Sequence, residues 1–229
     1  MKKDKEGCDG NTCMLCRWAV KEWKPAIALQ HKNYLLKKGE LLFRENEPVN
    51  GIFFVYDGLV KVHKHWGDDK ELIIRFARKG DIVGHRGMGT REAIYPVSAT
   101  AMAPTQVCFV DMEFFTSSLK VNQGLLYELL LFFADELQTA EKQMRNLVHM
   151  PVKARLANAF LLLESQFGYN KEGFIDIELN KQDLASYIGA TFETTFRVLN
   201  ELIEARLIAI AGKYYTILNV PKLTQLAHT

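Results

Sequence analysis

Residues 180–197 read NKQDLASYIGATFETTFR, and this stretch decides the C-terminal fold. Asn180 is a preferred N-cap residue, so a first helix is predicted to begin there and to run to about residue 188. Gly189 marks a tight turn, and a second helix is predicted over 192–205. Two short helices joined by a glycine-containing turn are typical of a helix-turn-helix.

A predicted β-hairpin follows the second helix. It consists of residues 207–210 and 214–218, with Gly212 and Lys213 at its turn. A helix-turn-helix followed by such a hairpin is a winged helix-turn-helix, whose second helix enters the major groove of DNA.

The residues before this motif complete a C-terminal domain, predicted over 151–229. Pro151 separates it from the preceding helix, and residues 152–166 form an amphipathic helix. Residues 174–179 alternate between apolar and polar side chains, which predicts a strand.

The second helix has two chemically different faces. Its inward face is predicted to comprise Thr195, Val198, Leu199 and Leu202, and its outward face Thr191, Glu193, Thr194, Phe196, Arg197 and Asn200. Arg197 can bind guanine O6 and N7 with both guanidinium arms, and Glu193 can accept from the amino group of cytosine. An ordinary ion pair between these two side chains, one helical turn apart, fits the spacing equally well. Thr191, Lys181, Lys213 and Tyr214 are candidates for contacts to phosphate, and Thr194 is a further candidate for DNA contact on the outward face.

The middle of the chain is rich in short β runs, which predict an antiparallel roll or barrel over residues 34–120. The runs are 41–44, 52–56, 59–65, 71–77, 98–102 and 106–110, and glycine-containing turns or Pro104 separate them. The segment before them, residues 1–33, carries three of the four cysteines, and its residues 17–33 are predicted to be irregular or helical.

A long helix is predicted over 121–150. Its apolar residues advance in alternating steps of four and three: Leu126, Leu130, Phe133, Leu137, Ala140, Met144 and Leu147. Such a heptad pattern favours pairing with the same helix of a second chain, so we expect a homodimer. Packing of this stripe on the chain's own roll is the alternative.

Composition indicates a globular protein of one or two domains. Of the 229 residues, 48% are apolar, and no apolar run reaches the length of a membrane span. No secretion signal follows Met1, so we expect a cytoplasmic protein without membrane contact. The net charge of +2 neither indicates nor excludes nucleic-acid binding.

Three of the four cysteines, Cys8, Cys13 and Cys16, lie close together, and Cys108 stands alone in a β run. In a reducing compartment such a group indicates metal or redox chemistry rather than structural disulfides. A zinc site, a redox disulfide between Cys13 and Cys16, and exposed thiols beside a buried Cys108 all fit the spacing.

The order of these parts resembles the Crp/Fnr family of transcription regulators. The opening of the family's roll is similar to residues 38–62, KGELLFRENEPVNGIFFVYDGLVKV, and to Gly80-Asp-Ile-Val-Gly84. Its DNA-binding helix pair resembles residues 184–197. The resemblance implies an α+β fold: an N-terminal cyclic-nucleotide-binding-like β-roll, a long dimerisation helix and a C-terminal winged helix-turn-helix. It also implies palindromic double-stranded DNA and RNA polymerase as partners.

The same resemblance bears on the signal that the roll senses. Cyclic-nucleotide-binding members use a Glu where this chain has His85, and an Arg-Ser pair where it has Pro96-Val97. Proline offers neither a charge nor an N–H, so no cyclic nucleotide is expected.

The cysteines resemble those of the Fnr branch, which implies an oxygen-labile [4Fe–4S] cluster on Cys8, Cys13, Cys16 and Cys108. The short and long gaps between the first three are reversed relative to that branch. A small-molecule effector in the roll, or a thiol- or zinc-based sensor, is the alternative signal.

The recognition pattern of that branch is Glu, two residues, Ser, Arg, which this chain matches at Glu193 and Arg197 but not at Phe196. A half-site with a retained G·C pair and altered flanks is expected, in which Phe196 is suited to a thymine methyl.

Two other functional classes are disfavoured. The glycine-rich residues 84–89 lack the spacing of a phosphate-binding loop, so no enzyme is expected. A ligand-gated module without DNA contact does not explain the wing or Arg197.

Overall fold

The computed structural model describes residues 2–4, 12–67, 70–89 and 93–228. The chain forms two compact units, one comprising residues 1–69 and 74–137, the other residues 70–73 and 138–229. Among the described residues, no helix combines the length and the apolar character that crossing a membrane requires.

The first unit is built on two antiparallel sheets. A five-stranded sheet has the order β1-β2-β9-β4-β7, and a four-stranded sheet the order β3-β8-β5-β6. The strands are β1 Lys2–Asp4, β2 Lys32–Leu36, β3 Leu41–Phe43, β4 Gly51–Asp57, β5 Leu59–Trp66, β6 Lys70–Arg78, β7 Ile82–Val83, β8 Ser98–Ala101 and β9 Thr105–Asp111. Each of the six predicted β runs corresponds to one of these strands. Three strands were not predicted: β1, the two-residue β7, and β2, which pairs with β9 and starts before the predicted roll.

The core between the sheets is aromatic. Phe43 stacks on Tyr95 with ring centroids 4.0 Å apart, and Phe53 packs against both Phe43 and Phe109. The Tyr95 hydroxyl donates to the carbonyl of Gly51 at 2.8 Å. A Cβ at Gly51 would lie 2.1 Å from the Val110 carbonyl oxygen, so the close approach of β4 to β9 requires glycine here.

Helices cover one side of this unit and create a second apolar core. They are α1 Met14–Trp18, α2 Lys24–Gln30, α3 Met112–Val121 and α4 Gln123–His149, with 3₁₀ turns at Lys21–Trp23 and His85–Gly89. Leu15, Phe115 and Leu125 are fully buried in this core. The predicted long helix is confirmed, and α3 is a separate helix before it, capped by the Asp111 carboxylate, which accepts from the Phe114 N–H at 2.8 Å.

The second unit contains the predicted helix pair and hairpin. Its elements are α5 Val152–Phe167, α6 Lys181–Ile188, α7 Phe192–Glu204, β10 Ile208–Ala211, β11 Tyr214–Ile217 and a C-terminal helix, α8 Val220–Ala227, that the sequence analysis did not predict.

The strand predicted over 174–179 is wrong. The side chains do alternate, with Ile175, Ile177 and Leu179 buried, but the backbone is irregular. The N–H of Ile177 donates to the carbonyl of Ile175 at 2.7 Å, which bends the chain locally. Only Ile175 and Leu179 therefore donate to the hairpin, to the carbonyls of Tyr215 and Lys213.

Candidate functional site

The turn between α6 and α7 is fixed by side-chain caps at both helices. Asn180 accepts from the Asp183 N–H at 2.7 Å, and the Thr191 hydroxyl accepts from the Thr194 N–H at 3.2 Å. These bonds satisfy N–H groups that a helix start leaves without a partner. Gly189 ends α6 with φ +63°, and Arg155 of α5 donates to its carbonyl at 3.0 Å. The turn thus holds the first residues of α7 in one orientation.

Helix α7 has the buried and exposed faces that were predicted from the sequence. The buried residues are Thr195, Val198, Leu199 and Leu202. Thr191, Glu193, Phe196 and Arg197 are exposed, and Thr194 and Asn200 are half-buried. The first turns of α7 therefore present a mixed polar and aromatic surface.

Arg197 does not form the ion pair with Glu193 that the spacing allowed. Its guanidinium donates to the Glu201 carboxylate at 2.8 Å, and the other oxygen of Glu201 accepts from Lys153 of α5 at 3.0 Å. Hydrogen bonding to Lys153, together with the charges of Lys153 and Arg197, lowers the pKa of Glu201. Because Lys153 holds Glu201 in place, the carboxylate is positioned for Arg197, while Glu193 stays in the first turn, where the helix dipole favours a negative charge. Arg197 itself is 68% exposed and accessible to a ligand.

Two phenylalanines lie side by side on the outer face of α7. The rings of Phe192 and Phe196 are nearly parallel, with centroids 6.2 Å apart, and the ammonium group of Lys181 lies 4.5 Å from the centroid of the Phe196 ring. Phe196 and Lys181 were predicted as candidate DNA contacts from the sequence, whereas Phe192 was not. Its spacing of four residues from Phe196 was the signal that places it on the same face.

The wing carries the other candidate contacts. Lys213 is exposed at the turn between β10 and β11, beside Gly212 with φ +63°. The Tyr214 hydroxyl donates to the Glu178 carboxylate at 2.8 Å, which raises the pKa of the tyrosine. Lys213 is therefore accessible, whereas Tyr214 is engaged within its own unit.

Helix α4 has distinct apolar faces. Leu125 and Leu129 are buried, and Phe132 packs on the second core. The predicted stripe lies beside them. Of its seven residues, Leu126, Leu130, Leu137, Met144 and Leu147 are exposed, and Phe133 and Ala140 are half-buried. Phe133 also packs against the ring of His85, at 5.3 Å between centroids. Most of the stripe is therefore not the surface that packs on the roll.

Three of the four candidate cysteine ligands meet in the second core, and Cys8 lies outside the described residues. Cys13, at the start of α1, and Cys108, in β9, are buried, and Cys16 packs against the same cluster. No disulfide joins these three residues.

A buried charged cluster lies between the roll and α4. Glu136 of α4 accepts from Arg86 at 2.6 Å, and Arg75 and His85 lie 3.6 and 3.7 Å from its carboxylate oxygens. We call these four residues the Glu136 cluster. Sequence analysis identified His85 but neither Arg75 nor Glu136, because no local pattern links them.

The charges in the Glu136 cluster shift its titrations. Burial by itself raises the pKa of Glu136, but the nearby His85, the charge of Arg75 and the charged hydrogen bond from Arg86 outweigh it and lower the pKa to about 2. Burial lowers the pKa of His85, against the opposing influence of Glu136. Burial also lowers the pKa of Arg75.

Two regions of the chain match models of known protein families. Residues 35–122 match the model of the cyclic nucleotide-binding domain, and residues 154–226 match that of the Crp-like helix-turn-helix domain. The chain belongs to the Crp/Fnr family of transcription regulators. The predicted fold class is thereby confirmed, as is its DNA-binding helix-turn-helix.

Similar Crp/Fnr proteins support this assignment along most of the chain. The transcriptional activator protein Anr of Pseudomonas aeruginosa is 29% identical over 195 residues, which cover 84% of this chain and 79% of the relative. The fumarate and nitrate reduction regulatory protein of Escherichia coli is 26% identical over 198 residues, covering 85% and 78%. The structure of FixK2 from Bradyrhizobium japonicum superposes with a TM-score of 0.76 at 23% identity, covering 86% of this chain and 96% of that one. Because the relatives are transcription regulators, the prediction that this Crp/Fnr protein is not an enzyme is confirmed.

Proposed function

We propose that this Crp/Fnr regulator binds a palindromic operator as a homodimer and responds to oxygen or redox state through an iron–sulfur cluster. The observation that carries the proposal is the meeting of Cys13, Cys16 and Cys108 in one core. Two similar proteins are named an anaerobic regulatory protein, of Bacillus subtilis, and a fumarate and nitrate reduction regulatory protein, which supports a signal of this class.

The donor set fits an iron–sulfur cluster. Thiolates are its usual ligands, and three of the four come from segments that pack in the same core. Four thiolates also suit a tetrahedral zinc ion, which metal and sulfide analysis distinguishes from a cluster. Cys8 would complete the set.

When bound, such a group supplies a link between the N-terminal segment and β9 that oxidant can dismantle. The chain positions the cysteine side chains that would bind this group next to α3 and α4. Cys108 lies in the strand that leads directly into α3, and the same core contains Leu125 and Leu129 of α4. A change at the cysteines therefore acts on the packing of the proposed dimerisation helix.

The uncovered stripe of α4 supports the homodimer. Leu126, Leu130, Leu137, Met144 and Leu147 expose apolar surface along 27 helical residues in heptad spacing. Exposed apolar surface of this extent is unfavourable in water, and pairing with the same helix of a second chain removes it. In a dimer, a twofold axis relates the two α7 helices, and this symmetry matches that of a palindromic DNA site.

On DNA, Arg197 and Glu193 are assigned to a G·C pair, with Phe196 beside them. Thr191 and Thr194 at the start of α7 and Lys213 on the wing are assigned to phosphate contacts, which set position rather than sequence. RNA polymerase is the expected protein partner of the bound dimer.

No cyclic nucleotide is proposed as the effector. His85, which stands where nucleotide-binding members have Glu, is buried against Glu136, Phe132 and Phe133. The Glu136 carboxylate is already paired with both Arg75 and Arg86, so a cyclic phosphate would have to compete with it for these two side chains.

The decisive experiment is the iron and acid-labile sulfide content of the full-length protein purified without oxygen, with its visible absorption spectrum. We expect about four iron and four sulfide per chain and a broad band near 400 nm that air bleaches. Cys16→Ser should lose iron, sulfide and the band. Met14→Leu, a conservative change beside Cys13, is the matched control and should retain them.

The same preparation distinguishes the alternatives. Bound zinc with no sulfide would contradict the cluster and favour a zinc sensor. Protein without metal whose DNA affinity changes on thiol oxidation would favour a thiol sensor. If the protein binds no metal and its DNA affinity does not change on thiol oxidation, a small-molecule effector that binds in the roll is the remaining alternative.

The homodimer is tested separately by sedimentation of Leu130→Glu. A charge in the paired stripe would be buried without a partner, so the variant should sediment as a monomer. Lys142→Glu, at an exposed position of α4 outside the stripe, should sediment like the wild type. A monomeric wild type under oxygen-free and aerobic conditions would exclude the dimer.

A further inference from the structure

The outer face of α7 carries the most exposed phenylalanines of the protein. All 14 phenylalanines lie among the described residues, and only Phe192 and Phe196 are classed as exposed, at 41% and 39%. The others are buried or half-buried in the cores. Both exposed rings lie in the first two turns of the DNA-recognition helix and are not among the residues that α7 buries.

The two rings are stacked and together form one continuous apolar surface. Their planes differ by 2° and their centroids by 6.2 Å, so they present parallel edges on the same side of the helix. Lys181, at the start of α6, places its ammonium group 4.5 Å from the centroid of the Phe196 ring. A cation at that distance interacts favourably with the ring face and restricts its movement. It also adds positive charge beside the pair, which suits an approach to DNA.

We propose that Phe192 and Phe196 act together as a surface that reads thymine methyl groups in the major groove. The proposal rests on the proposed reading of DNA by α7. The C5 methyl of thymine is the apolar group among the base edges of the major groove, and a ring without hydrogen-bonding atoms can recognise only that group. Phe192 is thus a further specificity-determining residue.

The dimensions of the pair agree with this role. Successive base pairs are about 3.4 Å apart along a strand, so two rings 6.2 Å apart extend over about two base-pair steps. Arg197 lies on the same exposed face, next to Phe196 in sequence. The thymines are therefore expected beside the G·C pair that Arg197 contacts, within the same half-site.

This surface is less suited to binding a protein partner than to binding DNA. A specific protein interface buries about 800 Å² on each side, far more than two partly exposed rings provide. The surface also lies on the helix that the family uses for DNA, so DNA and a protein would compete for it.

The test replaces thymine by deoxyuridine, which removes the methyl and keeps every hydrogen-bonding atom. In vitro selection with the full-length chain first gives the preferred palindrome, and each thymine of the half-site is then replaced in turn. At one or two positions we expect about a fourfold loss of affinity per half-site, the factor that corresponds to about 0.8 kcal/mol for one methyl group. Symmetric replacement in both half-sites should give about a fifteenfold loss.

Variants assign the effect to the two rings. Phe192→Ala and Phe196→Ala should bind thymine and deoxyuridine probes equally at the affected position, whereas Phe192→Leu and Phe196→Leu should keep part of the difference. Leu218→Ala, a change at an exposed apolar residue of the same unit, should keep all of it. Thermal melting of each variant checks that it is folded.

Equal wild-type affinity for thymine and deoxyuridine at every position would overturn the methyl-reading surface while leaving specific DNA binding intact. A deoxyuridine effect that persists in both alanine variants would also overturn it. Failure to select any sequence would instead overturn the proposed reading of DNA by α7, and the methyl-reading surface with it.

Discussion

The recognition helix and the Glu136 cluster differ in how far apart in the sequence their parts lie. The outward residues of α7 fall within residues 191–201, are largely exposed and depend on caps that are also local. The Glu136 cluster joins Arg75, His85, Arg86 and Glu136 from a strand, a 3₁₀ turn and a long helix, and it is mostly buried. The first surface can change its specificity without loss of the fold, whereas a change in the second acts on the fold itself.

The largest effect is expected from Glu136→Gln. The change removes the negative charge that Arg75 and Arg86 share, and a buried cation without its partner costs about 3 kcal/mol of the free energy of unfolding. We take the lower end of the usual range because the Glu136 side chain is 17% exposed. Urea denaturation measures the loss, and Glu141→Gln, at an exposed position of the same helix, is the matched control. Equal stability of both variants would show that the cluster is not important for the fold.

Acid should weaken the same unit in two stages. The pKa of His85 is lowered by burial, so its contribution to stability is present above about 6.5 and is lost as the pH falls below that value. The pKa of Glu136 is about 2 in the folded protein against 4.5 as the ordinary value. Its contribution, about 3 kcal/mol at most, is present above 4.5 and is lost as the pH falls from 4.5 towards 2.

The free energy of unfolding against pH measures both stages. Glu136→Gln should flatten the profile between pH 4.5 and 2, because the titrating carboxyl is gone. An unchanged profile would contradict the lowered pKa of Glu136.

For the recognition helix, Arg197→Ala should act on specificity rather than on the fold. We expect a loss of about 1 to 3 kcal/mol in binding free energy, with relaxed discrimination at one base pair. Lys213→Ala should weaken binding about equally on all sequences and reduce its salt dependence. Affinity for a set of single-base operator variants at two salt concentrations separates these results, and a uniform loss for Arg197→Ala would reassign it to phosphate.

The smallest effect is expected at the helix cap. Thr191→Ala removes the bond to the Thr194 N–H and should cost about 1 kcal/mol of stability in the DNA-binding unit. Thr191→Ser keeps the hydroxyl and should be close to the wild type. Thermal unfolding monitors both, and equal loss in both variants would show that the threonine methyl rather than the cap is responsible.

Local patterns were sufficient to predict much of this molecule. The α6–α7 pair, the wing and the buried face of α7 depend on caps, a glycine and helical spacing, all of which lie within a few residues of one another. The six β runs were predictable for the same reason. The strand over 174–179 failed because alternation reports which side chains are buried and does not report backbone hydrogen bonds.

The tertiary structure decided what distant residues do together. The gathering of Cys13, Cys16 and Cys108 in one core, the bond from Lys153 that positions Glu201 for Arg197, and the Glu136 cluster all depend on contacts between separate elements. Phe192 could be placed on its helix face from the sequence, but its exposure beside Phe196 and Lys181 could not. Periodicity gives the direction of a side chain on its own helix or strand, and only packing determines what that side chain meets.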